Sequence, residues 1–507
     1  MSASPEAIFR RRWWTLGVLS LSLLVIGLDN TILNVALPSL RSDLSASSSE
    51  LQWIVDSYLL VFAGILLTAG TLGDRFGRKK ALVAGLVVFG AGSLASAFAG
   101  SPTALISTRA LMGLGAAFIM PSTLSILTNV FPANERAKAI AIWAGVSGLG
   151  IAIGPVSGGF LLDHFSWGAV FLVNVPFIVA TLIAARTLVP ESRDPAAPPL
   201  DYVGAAASIV ALVSLVWAII EAPSKGWLAA PTLAAYGISA VFAIAFVAWE
   251  LRAEHPMLEM KFFRNRSFSA ASASVALVFF ALMGTIFFLT QYIQSVMGYT
   301  PLQAGIRIIP VAAGLMVAAG TAPKLVGRFG VRTTVASGLT VVAGSMLLLS
   351  HANVGSGYGI VAGVLVTMGL GMGLAMAPAT DSVMGSLPLE KASVGSAMND
   401  TTRMVGGALG VAVLGSILQS GYESHVAESA PAVARDSLGG ALHVGGAQLV
   451  DNARSAFVSG MSTASLVAAA IAFAGAIIAF VALPKVQQEH ADVVELPRQP
   501  EAEVVAA

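Results

Sequence analysis

Leu72–Lys79 reads LGDRFGRK and Leu325–Arg332 reads LVGRFGVR, so the two stretches share the pattern L-x-x-R-F-G. Each stretch directly follows a long apolar run. Basic residues at such places can simply reflect the preference of Lys and Arg for cytoplasmic loops. The shared pattern at matching places favours an internal repeat instead, which would divide the chain into two similar halves.

The composition is that of a polytopic membrane protein. Of the 507 residues, 56% are hydrophobic and only 11% are charged, whereas a soluble domain has about 25% charged residues. The mean hydropathy is +0.81. The chain has no cysteine, which excludes disulfides and thiolate chemistry. Arg10–Arg12 precede an apolar run that is too long for the core of a signal peptide, so we expect a retained first span.

Fourteen apolar windows are long enough to cross about 30 Å of hydrocarbon. If the N-terminus is inside, most Lys and Arg residues fall in cytoplasmic segments, and few fall outside (Arg41, Lys225, Arg435 and Arg454). This alternation predicts fourteen spans with both termini in the cytoplasm. The windows lie near 13–38, 51–73, 81–100, 103–128, 138–162, 168–188, 202–222, 231–251, 267–295, 302–325, 334–350, 358–381, 393–420 and 457–483.

The repeat aligns spans 1–6 with spans 9–14 and leaves spans 7 and 8 as an insertion. An all-α fold of two six-helix bundles (6+2+6) is therefore predicted. This arrangement is typical of secondary transporters, which bind substrate near the membrane midplane between the bundles. The predicted units are a first bundle at 1–195, two inserted helices at 196–265, a second bundle at 266–484 with a long external loop at 421–456, and a disordered cytoplasmic tail at 485–507.

Asp29 lies about halfway along the first apolar run, Trp13–Pro38. An ionised acid at this depth costs roughly 2.5 kcal/mol or more, so we expect it to face a water-filled cavity or a partner and to handle protons, cations or both. Arg109, inside the fourth run, would keep a nearby acid deprotonated or respond to a change in its charge. A purely structural ion pair is the alternative.

Further acids lie inside or at the ends of apolar runs. Asp56 is either a contact for a substrate cation or a solvated rim residue. Asp400 and Arg403 are one turn apart on one helix face, so they either neutralise each other or join a central cavity. Glu221 is expected to mark a membrane boundary, and Asp381 the cytoplasmic end of a helix.

Neutral side chains in the spans allow two interpretations. Asn34 and Gln294 could line a polar path or form hydrogen bonds between helices. Phe287 and Phe288 could form an aromatic pocket that binds lipophilic substrates by stacking and cation–π contacts, or they could face the core.

The loop after the second span concentrates charge between glycines. Glycines permit a tight reversal, and an aspartate can cap the next helix or pair with an arginine. The cluster could latch the two bundles together on the cytoplasmic side, or it could only anchor the topology. The predicted latch residues are Gly73, Asp74, Arg75, Gly77, Arg78 and, in the second half, Arg328.

This loop, Gly70–Lys80, resembles the signature loop of the major facilitator superfamily. Arg109–Gly115 resembles the buried-arginine motif of that superfamily, and Gly145–Gly159 resembles its antiporter motif, which is found mainly in exporters. The likeness extends over about residues 10–485. Three more segments resemble the fourteen-helix drug:proton antiporter group, of the quaternary-ammonium and multidrug exporter type: Leu28–Pro38 (LDNTILNVALP), Trp53–Tyr58 and Phe171–Pro176.

The resemblance implies a proton-coupled exporter of lipophilic, often cationic drugs, which works by alternating access in the bacterial inner membrane. It implies no enzyme activity, no cofactor or metal, no nucleic acid, and a functional monomer whose partners are small lipophilic molecules, protons and lipid. It assigns Arg109 to proton coupling, a role that we expect Asp29 and Asp400 to share. The antiporter motif includes Gly150, Gly154, Pro155, Gly158 and Gly159. The expected substrate-binding residues are Asp29, Asn34, Asp56, Tyr58, Phe287, Phe288, Asn399, Asp400 and Arg403.

Substrate charge and direction of transport have alternatives. Group members that export dications carry further acids at places that correspond to Leu315 and Asn399, so monovalent lipophilic cations or neutral drugs are expected here. The chain could instead export an endogenous lipid, peptide or antibiotic, or serve as a non-transporting receptor or scaffold. A receptor has no need of titratable groups in both bundles, and the antiporter motif argues against a nutrient importer.

Overall fold

The computed structural model describes residues 5–194, 199–387, 392–427 and 429–484, and every regular element in these residues is helical. A helix satisfies its backbone hydrogen bonds within its own segment, which is why long apolar runs fold as helices in a bilayer. The tail predicted at 485–507 lies outside the described residues. The helices are α1 (Pro5–Leu44), α2 (Ser48–Phe76), α3 (Arg78–Ala97), α4 (Pro102–Val130), α5 (Ala133–His164), α6 (Ala169–Leu172), α7 (Asn174–Leu188), α8 (Tyr202–Lys225), α9 (Ala230–Glu250), α10 (Arg266–Gln291), α11 (Pro301–Ser350), α12 (Tyr358–Gly385), α13 (Ala392–His425), α14 (Ala432–Asp436), α15 (Leu438–Val444) and α16 (Ala447–Ala482), with a 3-10 turn at Met260–Arg264 and a π turn at Tyr292–Val296.

Twelve helical stretches within the described residues are long and apolar enough to cross a membrane. The fourteen predicted windows differ from this set at two places. α11 counts once although its 50 residues would rise about 75 Å, more than twice the thickness of the hydrocarbon core. α5 is not among the twelve, although it has 32 residues.

The glycine that ends the shared L-x-x-R-F-G pattern reverses the chain in both halves. Gly77, with φ 124°, separates α2 from α3. Gly330, with φ 81° and ψ 163°, breaks α11 into two arms. Both φ values lie in the region that only glycine adopts readily. The two repeated stretches therefore make equivalent turns, and α11 is two helices joined at Gly330.

Helices within each half pack closely, and two seams join the halves. In the first half α1 packs on α5 and α2 on α4, while in the second α10 packs on α13 and α11 on α12 and α16. The seams are formed by α2 with α13 and by α5 with α11. The inserted helices α8 and α9 pack on each other, and α8 also contacts α2 and α13.

The segment predicted as a long loop, 421–456, is mostly helical. α13 continues to His425, α14 and α15 follow, and α16 begins at Ala447. The Tyr422 hydroxyl donates to the Ala434 carbonyl (2.6 Å), and Ser48 of α2 donates to the Asp436 carbonyl (3.1 Å). The prediction that 421–456 is a long external connection stays a prediction, but the sequence did not indicate its helices, because elements this short are stabilised by such caps and cross-contacts and not by an apolar periodicity.

Candidate functional site

Asp29 and Arg109 form a buried ion pair between α1 and α4. Their residues are 0% and 1% exposed, and Arg109 Nη1 donates to Asp29 Oδ2 at 2.5 Å. Of the two surroundings expected for Asp29, the structure has the partner and not an open cavity. A carboxylate at this depth is compensated because the guanidinium supplies both a counter-charge and a donor.

Neighbouring helices complete the cluster around this ion pair. Asn174 Nδ2 of α7 donates to Asp29 Oδ1 (3.1 Å) and to Ser93 Oγ (3.2 Å). Arg109 Nε donates to the carbonyl of Ile54 (3.3 Å), and its guanidinium lies 4.3 Å from the ring centroid of Tyr58. The charge state of one carboxyl is thus linked to α1, α2, α4 and α7.

Sequence reasoning assigned no role to Asn174 or Ser93. Asn174 lies within the segment Phe171–Pro176. A polar amide inside an apolar run was the one feature of the sequence that could have identified it. Its contact with an acid 145 positions away required the fold.

Asp56 is a second buried acid, on the seam between α2 and α13. The residue is 0% exposed, and neither carboxyl oxygen has a hydrogen-bond partner among the described residues. On either side of it along α2, Gln52 and Leu59 approach Gly415 and Gly407 of α13. The rim-residue alternative is wrong, because the α13 helix covers this face of α2. A buried carboxyl with both acceptors free is suited to take up a proton or a cation.

The predicted site residues of the second half, the pair Asp400–Arg403 and the neighbouring Asn399, lie on α13. Arg403 Nη1 is 3.6 Å from Asp400 Oδ1, with side chains 25% and 10% exposed, and its guanidinium lies 5.6 Å from the Phe279 ring centroid. Asn399 Oδ1 accepts from Thr380 (3.5 Å). This pair is longer and more exposed than Asp29–Arg109, and its described contacts do not join it to that cluster.

The side chains predicted to form a polar path or an aromatic pocket bond to backbone or lie in the core. Asn34 Nδ2 donates to the carbonyl of Asn30 in its own helix (3.2 Å). Gln294 Nε2 donates to the carbonyl of Val35 (3.0 Å), which joins the two halves. Phe287 is 3% exposed and Phe288 is 0% exposed. In this conformation both aromatic rings are part of the core.

Glycines of the α5 motif allow two close approaches. A Cβ at Gly150 would lie 2.8 Å from the Leu24 carbonyl of α1, and Gly154 and Gly158 face α1 in the same way. A Cβ at Gly159 would lie 2.5 Å from Leu302 Cα of α11, and Pro155 meets Gly305 of α11. The motif therefore packs α5 onto its own half and onto the opposite half.

The α5–α11 seam is closed at one end and open at the other. Gly148 lies eleven residues before Gly159, about three turns, and so on nearly the same face of α5. A Cβ at Gly148 would meet no described atom within 4 Å, and the same holds for Gly320 of α11. The two helices contact near Gly159, and no described atom packs against Gly148.

Gly159→Val is expected to force the closed end of this seam apart, because the added Cβ meets the backbone of Leu302 and not a flexible side chain. Spin labels at His164→Cys and Gln303→Cys, in a chain without native cysteine, would report a longer distance. Gly148→Val is the matched control and should leave this distance unchanged. An unchanged distance in Gly159→Val would contradict the packing described for the seam.

The predicted latch loop is held within the first half. Arg78 Nε pairs with Asp74 Oδ1 (2.7 Å). The Arg78 amide donates to the Ser192 carbonyl (2.8 Å), and the Asp194 amide donates to the Asp74 carbonyl (2.7 Å). Gly73 approaches Ala81 and Ser122, while Arg75 and Arg328 each lie beside the phenylalanine that follows them. In the described contacts the loop is tied to 192–194, so a latch between the halves is not formed in this conformation.

Comparisons with known proteins agree with this fold. Residues 19–411 match the family model described as Major Facilitator Superfamily, so the chain belongs to that superfamily. It is 37% identical over 486 residues to the multidrug efflux pump LfrA of Mycolicibacterium smegmatis, covering 93% of this chain and 96% of that protein. It is 34% identical over 492 residues to the tetracenomycin C resistance and export protein of Streptomyces glaucescens (92% and 91%).

A further relative is the methyl viologen resistance protein SmvA of Salmonella typhimurium, at 32% identity over 472 residues (90% and 94%). Among solved structures, the chain resembles a bacterial homolog of the human lysosomal transporter Spinster in an inward-facing and occupied conformation. The TM-score is 0.68 at 16% identity, covering 93% of this chain and 96% of that chain. This likeness shows the fold. Together with the many candidate spans, these findings make the protein a multi-pass membrane protein of the superfamily.

Proposed function

We propose that the protein is a proton-coupled exporter of lipophilic, often cationic small molecules in the bacterial inner membrane. The observation that carries this proposal is the buried Asp29–Arg109 pair, because one proton can remove the charge of such a carboxylate at membrane depth. Relatives that are named as efflux and resistance proteins and align over at least nine-tenths of the chain support export as the direction and drugs as the substrate class. A transporter of this kind needs neither a cofactor nor enzymatic chemistry.

Asp29 is proposed as the coupling carboxyl, with Arg109 as the group that responds to it. When Asp29 is deprotonated, Arg109 neutralises it. A proton on Asp29 removes this charge, and the guanidinium then retains the Ile54 carbonyl and the Tyr58 ring. Because α1, α2, α4 and α7 meet here, protonation changes the free energy of their packing. A proton that binds two packings with different affinities shifts the equilibrium between them.

The proposed topology has fourteen spans, with both termini in the cytoplasm. Three observations support it: the break of α11 at Gly330, the 32-residue length of α5 and the distribution of Lys and Arg along the chain. In this orientation the closed end of the α5–α11 seam is external and the open end is cytoplasmic. The conformation is then inward-facing.

Asp56 is proposed as the contact for the positive charge of the substrate. Its carboxyl is buried without a donor or a cation in the described residues, and the α2–α13 seam must separate and close again during alternating access. The resemblance places Leu315 and Asn399 where dication exporters carry acids, so monovalent lipophilic cations or neutral drugs are the proposed preference. Asp400, in its looser pair with Arg403, is proposed as a second coupling group.

Asp56→Asn is expected to weaken binding of tetraphenylphosphonium by at least about tenfold, which corresponds to about 1.4 kcal/mol. The neutral analogue triphenylphosphine oxide should bind with similar affinity before and after the change, because it carries no charge for the acid to contact. Titrations of the purified protein with both compounds give the comparison, and Glu221→Gln on α8 is the matched acid control. Equal losses for both compounds would remove Asp56 from the substrate site.

The proton gradient is a sufficient source of energy. Each unit of pH difference supplies about 1.4 kcal/mol per proton, and each 100 mV supplies about 2.3 kcal/mol per charge moved. Exchange of one monovalent cation for one proton is electroneutral and uses only the pH term. Participation of Asp400 as a second proton carrier would let the membrane potential contribute.

Proteoliposomes with an imposed pH gradient test the proposed function. Tetraphenylphosphonium should accumulate against its gradient and leak out when a protonophore is added. Accumulation that continues after the protonophore, or no uptake under any gradient, would contradict proton-coupled export.

Export of an endogenous antibiotic is a second candidate, favoured by the relative named for tetracenomycin C resistance and export. Drug susceptibility and secreted metabolites of a deletion strain, measured together, distinguish the two cargoes.

A further inference from the structure

Two carboxyl groups converge where the inserted helices α8 and α9 meet the segment that leads to the second half. Asp201 directly precedes α8, and Glu250 is the last residue of α9. Gly204 lies between them in the first turn of α8. A Cβ there would be 2.5 Å from Asp201 Oδ2 and 2.5 Å from Glu250 Oε1. The two oxygens therefore share a small space that exists because residue 204 has no side chain.

Three of the four oxygens in this pair have donors. Asp201 Oδ1 accepts from the Gly204 amide and from Trp249 Nε1, both at 2.8 Å. Asp201 Oδ2 accepts from the Met257 amide (3.4 Å), and Glu250 Oε2 accepts from the Leu258 amide (3.0 Å). Glu250 Oε1 has no donor among the described residues, and Glu250 is 3% exposed. This buried, unpartnered oxygen faces Asp201.

A shared proton accounts for this arrangement. Asp201 is the charged side chain that meets Glu250 at Gly204. From α2, which packs on α8, the uncharged Thr68 contacts Met257 (3.6 Å). Two carboxylates that converge on one Cβ position, with Glu250 buried, disfavour double ionisation. Two ionised groups also have no hydrogen to donate to each other. We propose that Asp201 and Glu250 bind one proton between them and that this proton holds the segment 251–259 against the α8–α9 hairpin.

The segment 251–259 is the covalent path from the hairpin to the second half. The carboxyls bind its Met257 and Leu258 amides, Leu258 is 7% exposed, and Met257 contacts Thr68 of α2 in the first half. Loss of the shared proton would place two like charges against each other and release the segment. The pair is thus a proton site outside the Asp29–Arg109 cluster, through which pH acts on the connection between the halves. It does not depend on what the protein transports.

The test uses single cysteines in the full chain, which has none of its own. Leu258→Cys reports release of the buried segment, and exposed His255→Cys gives the reference rate for the thiol at each pH. We expect the ratio of their maleimide modification rates to rise at least about fivefold between pH 6 and pH 9. In Glu250→Gln the ratio should stay low at every pH, because the Gln amide donates permanently to Asp201.

Asp201→Asn provides an independent second variant, since its amide can donate to Glu250, and it should also remove the pH dependence. The matched control Glu254→Gln, on the exposed part of the same segment, should keep the full rise. A flat ratio in the unmodified background would overturn the shared proton. A rise that persists in Glu250→Gln or in Asp201→Asn would do the same. Because the readout is local accessibility, it is independent of any failure of the drug-export proposal.

Discussion

Asp29→Asn is expected to abolish accumulation of tetraphenylphosphonium driven by a pH gradient. The change keeps the size of the side chain and one acceptor for Arg109, but it removes the charge that a proton can cancel. Binding of the substrate should persist, because Asp56, the proposed cation contact, is unaltered. Uptake into proteoliposomes under an imposed gradient, beside equilibrium binding to the same preparation, measures the two effects separately. We expect gradient-driven uptake to fall by at least about 100-fold and substrate affinity to fall by less than about threefold.

The matched control is Asp381→Asn, the same chemical change at an exposed position near the end of α12, which should transport normally. Gradient-driven accumulation in Asp29→Asn at near-normal rates would show that another group carries the proton. Asp400→Asn would then be the next variant to measure, since Asp400 is the other acid proposed for coupling.

Arg109→Gln is expected to cause the largest loss of stability. It leaves the Asp29 carboxylate buried without a counter-charge, and removing one partner of such a pair costs about 3–5 kcal/mol. The carboxyl would be kept protonated as a result, so proton flux and substrate flux should no longer be linked. Thermal unfolding in detergent measures the first effect, and gradient-driven uptake measures the second.

The double variant Asp29→Asn with Arg109→Gln separates an ion pair from two independent residues. It should be more stable than Arg109→Gln alone, because no charge remains buried, yet it should stay uncoupled. Arg403→Gln is the control for a looser pair. It should lower the stability clearly less than Arg109→Gln does, since Arg403 and Asp400 are 3.6 Å apart and partly exposed. Additive losses at positions 29 and 109 would show that the two side chains do not act as a pair.

The sequence was sufficient to predict the helical class, the shared glycine turn and the two members of the buried pair. Charges in apolar runs are conspicuous because they are costly, so Asp29 and Arg109 could be identified one at a time. Their pairing could not be derived, since 80 positions separate them and several partners were available to each. The repeat was predictable because the same turn needs the same glycine, as Gly77 and Gly330 show.

Features that depend on packing could not be predicted. Asn174 and Ser93 are neutral, so nothing in a single sequence distinguishes them from other polar residues in spans. Asp56 lies close enough to a helix end to suggest solvent contact, and its burial results from helices distant in the chain that pack on α2. The latch loop has the expected residues, but in this structure they bind 192–194 of their own half.

The most direct test of the central claim is proton release from the detergent-solubilised protein in weak buffer when tetraphenylphosphonium is added. Competition between substrate and proton predicts release of protons by the unmodified protein and none by Asp29→Asn, although the variant still binds the compound. Release of equal amounts by both proteins would contradict the role assigned to Asp29.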